Sequence, residues 1–120
     1  MKKQVLVAMA VAVSMMFLAG PAEASPTKGT IAQSGSIDPN TAYGTSESFF
    51  AGEPAEVMIK GNGATRLHLS VFDSYGTLVA EDECQQDACA ASWQPKTTGD
   101  FRVVVQNLGS TYNVFQVIMN

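Results

Sequence analysis

The chain predicts an all-β fold, a small antiparallel β-sandwich of jelly-roll-like form with about seven strands and one disulfide. Three observations carry this. From Thr45 onward apolar and polar residues alternate over short runs, the period of a half-buried strand. Gly-, Asn- and Asp-rich turn signals separate those runs at intervals of about 8–12 residues. No apolar repeat of helical period occurs beyond the first two dozen residues.

The elements follow in order. MKKQVLVAMAVAVSMMFLAGPAEA opens with two lysines, Lys2 and Lys3. An apolar run follows from Val5 to Leu18, broken only by Ser14, and then Ala22-Glu23-Ala24. Positive start, apolar middle and small-x-small end are the layout of a secretory signal peptide, with cleavage expected after Ala24. The apolar run falls short of the roughly 20 residues that a spanning helix needs, and no second run follows, so no membrane span is expected after cleavage. No cysteine ends the run, so no lipid anchor is expected either. The compact layout is that of a bacterial export signal, and the protein is expected in the periplasm or outside the cell.

Residues 25–44, SPTKGTIAQSGSIDPNTAYG, are rich in Ser, Thr, Gly and Pro and lack a sustained apolar period. They read as a flexible N-terminal segment with one short strand near Ile31. The domain proper is 45–120. Ser48-Phe49-Phe50 leads into Ala51-Gly52. Val57 and Ile59 alternate with Met58 and Lys60 before the Gly61-Asn62-Gly63 turn. Leu67, Leu69 and Val71 alternate with Arg66, His68 and Ser70. Asp73-Ser74-Tyr75-Gly76 has Asp first and Gly where a positive φ is wanted, a hairpin turn, with the return strand over 77–80. A strand over 91–94 stops at Pro95. Phe101, Val103 and Val105 form the next strand after Thr98-Gly99. Asn107-Leu108-Gly109 turns into the last strand, 112–119. Strands of this kind bury one face each, and two sheets of them close over a shared core.

With Lys2, Lys3 and Glu23 removed, five basic and ten acidic residues remain, a net charge of −5. Such a surface repels phosphate backbones, so nucleic acid is not an expected partner.

The stretch EDECQQDACAASW, 81–93, places Glu81, Asp82, Glu83 and Asp87 around Cys84 and Cys89. Thioredoxin-type chemistry uses C-x-x-C at a helix N-terminus. Here four residues separate the cysteines, and neighbouring carboxylates disfavour a thiolate. Zinc would need a fourth ligand beyond Cys84, Cys89 and His68. An exported chain with an even cysteine count favours a structural disulfide, Cys84–Cys89, which staples one acidic loop. Calcium is the one cofactor with candidate ligands, Glu81, Asp82 and Asp87 with Glu83. The spacing is not that of an EF-hand, and an acidic loop in water is the simpler reading. No cofactor is otherwise expected.

His68 is the single histidine. Its alternation with Leu67 and Leu69 turns it away from the core, and no nucleophile–base–oxyanion set converges on it. None of the G-x-S-x-G, H-E-x-x-H or phosphate-loop patterns is present, and no catalytic residue is expected. Trp93 reads as a core filler beside the disulfide. The alternative is a sugar-stacking platform with Tyr75 or Tyr112, which makes Trp93 and Tyr75 the candidate binding residues.

Taken together, GEPAEVMIKGNG, LHLSVFDSYGTLVAED and SWQPKTTGDFRVVVQNLGSTYNVFQV resemble the bacterial pre-peptidase C-terminal domain family over about residues 45–119. The most specific stretch is W-x-P-x-x-x-G-D-F-R-V-V-V-x-N-x-G. The resemblance implies a small non-catalytic β-sandwich that accompanies exported enzymes or stands alone, some members binding calcium. Where the family carries Asp-x-Asp-Leu, this chain has Arg66-Leu67-His68-Leu69, which lacks both aspartates. The expected function is an exported binding or accessory module for a protein or a cell-surface polysaccharide. The alternative is an inhibitor of a secreted hydrolase that uses the stapled acidic loop.

Overall fold

The computed structural model describes residues 26–120. The expected signal peptide, 1–24, lies outside the described residues. The described chain contains eight strands: β1 (Ile31–Ile37), β2 (Ala42–Phe49), β3 (Ala55–Lys60), β4 (Leu67–Phe72), β5 (Leu78–Glu83), β6 (Ala88–Trp93), β7 (Gly99–Asn107) and β8 (Asn113–Met119). No helix among them is long and apolar enough to cross a membrane.

The strands form two four-stranded sheets, in the orders β1-β8-β3-β6 and β2-β7-β4-β5. Every pairing is antiparallel. Pairs β1–β8, β2–β7, β3–β6 and β4–β5 are nested, as if one long hairpin had been rolled up. This is the eight-stranded double-sheet jelly roll. The DSYG turn makes the one connection that stays within a sheet, and every other link crosses from sheet to sheet.

The core lies between the sheets. Phe49, Val57, Leu67, Leu69, Val71, Val103, Val105, Phe115, Val117 and Met119 are fully buried. They are the alternate residues of their strands, which is why a period of two in the sequence becomes two apolar faces. At one end, Trp93 packs edge-on to Phe49 with ring centroids 5.0 Å apart, and Phe101 lies 5.5 Å from Trp93 and 5.8 Å from Phe49.

The structure departs from the sequence reading in two places. The stretch read as a flexible segment with one short strand near Ile31 forms the seven-residue β1 and the first three residues of β2, which brings the strands to eight. β1 runs in register with β8 from Ile31 opposite Met119 to Ile37 opposite Asn113. Its small residues carry no apolar period, yet backbone pairing does not require one, and an edge strand needs only one partner. Gly35 lets the Phe115 ring lie against the strand, since a Cβ there would sit 3.3 Å from Phe115 Cζ. The second departure is β5, which continues through the acidic residues to Glu83 rather than ending near Ala80. His68 Nε2 is 3.5 Å from Glu81, and the Arg66 guanidinium is 3.2 Å from Glu83, so nitrogen-bearing side chains of the β4 side accompany the acidic strand. A charged edge strand also resists pairing with another chain.

Candidate functional site

The links β1–β2, β3–β4, β5–β6 and β7–β8 gather at one end of the sandwich. Four buried polar or charged residues occur among the described residues, and three of them, Asp87, Asn107 and Asn113, lie at this end. A buried polar group is tolerated only when its hydrogen bonds are made, so their partners show what this end is built to hold.

Asn107 ends β7 and Asn113 begins β8, so the two amides bracket the loop Leu108–Tyr112. Asn107 Nδ2 donates to the Ile37 carbonyl at 3.0 Å and to the Thr111 carbonyl at 2.9 Å, and its Oδ1 accepts from Gly109 N–H at 3.0 Å. It therefore ties both limbs of the 108–112 loop to the end of β1. Asn113 Nδ2 donates to Thr65 Oγ1 at 2.9 Å and to the Thr65 carbonyl at 3.3 Å, while its Oδ1 accepts from Asn62 N–H at 3.0 Å. The 61–66 loop is thus bolted to the root of β8.

Asp87 secures the same loop from the other side. Its backbone carbonyl accepts from Gly61 N–H at 2.9 Å, its carboxylate accepts from Gly63 N–H, and Lys60 Nζ lies 3.3 Å from Oδ1. Gly61 is required by this crowding: a Cβ there would meet Asn113 Oδ1 at 2.8 Å and Asp87 Oδ2 at 2.9 Å. The Cys84–Cys89 disulfide closes the turn that presents Asp87. Gln86 and Asp87 both take positive φ, 50° and 62°, a conformation that L residues adopt only when the surroundings hold them there.

The result is a rigid platform of loop backbones with two large apolar side chains standing out of it, Leu108 at 50% and Tyr112 at 59% exposure. The arrangement offers no nucleophile beside a base. What it does offer is a preorganised protrusion, and a loop ordered in advance loses little entropy when a partner closes on it.

The acidic candidates for calcium do not converge. Glu81 faces His68, Asp82 Oδ2 accepts from Ala90 N–H at 3.0 Å, Glu83 faces Arg66, and Asp87 is buried with its own donors. No cluster of three or more His, Cys, Asp or Glu side chains able to hold a metal occurs among the described residues.

The aromatic candidates sit at the opposite end. Trp93 is half-buried and packed into the aromatic cluster, so its ring forms part of the core wall beside a shallow open depression that includes Glu56, Gln94 and Asn120. Tyr75 projects from the DSYG turn with 91% of its surface exposed. Asn107 and Asn113 were not singled out from the sequence. The available signal was two asparagines bracketing a five-residue loop at the ends of two alternating strands, where a turn residue and a buried bolt look alike.

No protein-family model matches the chain, and no curated protein does. Among solved structures the chain is similar to PliG of Aeromonas hydrophila, a periplasmic lysozyme inhibitor of g-type lysozyme. The TM-score is 0.57 at 10% identity, covering 85% of this chain and 91% of that one. A de novo designed double-stranded β-helix gives a TM-score of 0.47 at 16% identity, covering 75% of this chain and 99% of the design.

Proposed function

We propose that this is an exported, non-catalytic binding protein that inhibits a secreted cell-wall hydrolase of the lysozyme kind, with the bolted loop end as its contact surface. The observation that carries the reading is the rigid 108–112 loop, with Leu108 and Tyr112 presented on a base of buried Asn107, Asn113 and Asp87. A projecting loop that keeps its shape is suited to filling an enzyme cleft, and an exposed tyrosine is a common anchor of such contacts. The fold shared with a periplasmic lysozyme inhibitor supports the choice of partner class. The acidic balance of the chain adds to it, because an enzyme working on an anionic wall polymer gains from a cationic surface, which an acidic partner complements. The stapled acidic loop stands on the far side of the 61–66 loop from the protrusion and steers the encounter rather than filling the cleft.

Cell-wall lysis assays with g-, c- and i-type lysozymes, titrated with the purified protein, test this. Inhibition of at least one class approaching one-to-one stoichiometry is expected. Replacing Tyr112 and Leu108 together by Ala should weaken inhibition at least tenfold with the melting temperature nearly unchanged. Full lytic activity of all three classes at a large excess of the protein overturns the reading.

A further inference from the structure

The two sheets differ on their outer faces. The outward residues of β2-β7-β4-β5 include Asp100, Arg102, His68, Glu81 and Glu83. The outward residues of β1-β8-β3-β6 are largely uncharged, and register aligns four apolar ones into a row that crosses every strand. Ala32 lies opposite Ile118, Ile118 opposite Met58, and Met58 opposite Ala90. Met58 is 38% and Ile118 39% exposed. On β3, one pleat repeat to either side of Met58, stand Glu56 and Lys60.

The geometry points to a second copy of this chain as the occupant of this face, in a two-fold dimer whose axis runs along the Ala32–Ile118–Met58–Ala90 row. A face-to-face two-fold axis lies in the interface plane. An axis along the row places each row residue against its own copy, Met58 on Met58 and Ile118 on Ile118. It also inverts the strand direction, so Glu56 of each copy comes over Lys60 of the other, twice, and adds a second carboxylate to an exposed ammonium that already pairs with its own Asp87. A face with one acid and one base placed symmetrically about an apolar row is complementary to itself under this operation and no simpler one. Two sheets stacked this way lie about 10 Å apart. The footprint, four strands by about seven residues, is on the order of 450 Å² per copy. The total of about 900 Å² lies below the range of stable specific interfaces and in that of transient ones, so the dimer is weak and concentration-dependent. The inverted strand direction sends the two bolted loop ends to opposite poles, leaving both open, so the dimer is independent of the inhibitory reading.

Sedimentation velocity over a concentration series from about 5 to 500 μM tests the proposal. A reversible monomer–dimer shift is expected. Met58→Asp should abolish it, and Glu56→Lys should weaken it at least fivefold by setting like charges together. Ser46→Asp, on the outer face of the other sheet, should leave it unchanged. Met58→Cys should form a covalent dimer under mild oxidation while Ser46→Cys does not. That readout registers only a self-facing position, and folding of each variant is checked by its melting temperature. A monomer at every concentration with no Met58→Cys cross-link, or a dimer that Met58→Asp leaves intact, overturns it.

Discussion

The two ends of the sandwich are held by different physics. At the aromatic end, Phe49, Trp93 and Phe101 fill the space between the sheets with rings at 5.0–5.8 Å. At the loop end, Asp87, Asn107 and Asn113 fill the corresponding space with amides and a carboxylate bonded to loop backbones. Apolar contact is non-directional: it fixes how closely the sheets approach but not the path of the chain beyond them. Hydrogen bonds are directional, and a buried one left unmade is costly, so they fix where each loop runs. The aromatic end therefore mainly supplies cohesion and the loop end shape, and shape is what a binding surface needs.

This contrast is broken most severely at Phe49. Phe49→Ala removes a fully buried ring in contact with two others and should destabilise the protein by about 3–5 kcal/mol. Chemical denaturation would show it as a shifted midpoint. If the midpoint falls while 108–112 keeps its amide-exchange protection under native conditions, the two ends are separable.

Asn113→Ala comes next. It strands the Asn62 N–H and frees the Thr65 groups, with an expected loss of about 1–3 kcal/mol. The sharper readout is local: amide exchange should accelerate in 61–66 and 108–112 but hardly at all around Trp93. Uniform acceleration would mean that the amide merely fills volume.

Removing the disulfide by Cys84→Ser with Cys89→Ser constrains the unfolded chain less and should cost about 2 kcal/mol, given so short a closed loop. Asp87 then loses the turn that presents it. Inhibitory potency should fall further than stability alone explains, measured as the dose response in the lysis assay after correction for the folded fraction.

The smallest stability effect belongs to Tyr112→Ala. An exposed side chain away from the core changes stability by no more than about 0.5 kcal/mol. A clear loss of inhibition without a thermal shift would separate the surface of the loop end from its scaffold. Tyr75→Ala, at the other end, should change neither.

The sequence by itself determined the class of fold. Val57 with Ile59, Leu67 with Leu69 and Val71, and Phe101 with Val103 and Val105 alternate because one face of each strand is buried, and that period survives in the linear chain. The DSYG hairpin and the Cys84–Cys89 staple were legible for the same reason, since each depends on residues close in sequence. Three things were decided only by the tertiary structure. The segment IAQSGSI reads as a short strand near Ile31 within a flexible stretch until β8 pairs with all seven of its residues and Phe115 lies over Gly35. Its membership of the sheet comes from backbone bonds to residues some 80 positions away, which side-chain pattern does not encode. Asp87 reads as one more member of an acidic loop until burial and the Gly63 N–H single it out. Asn107 and Asn113 read as turn residues until Ile37 and Thr65 arrive from elsewhere in the chain. Apolar periodicity records which face is buried, because burial is a property of each residue in turn. Hydrogen-bond partnership is a property of pairs, and for pairs far apart in the chain only the folded jelly roll brings them together.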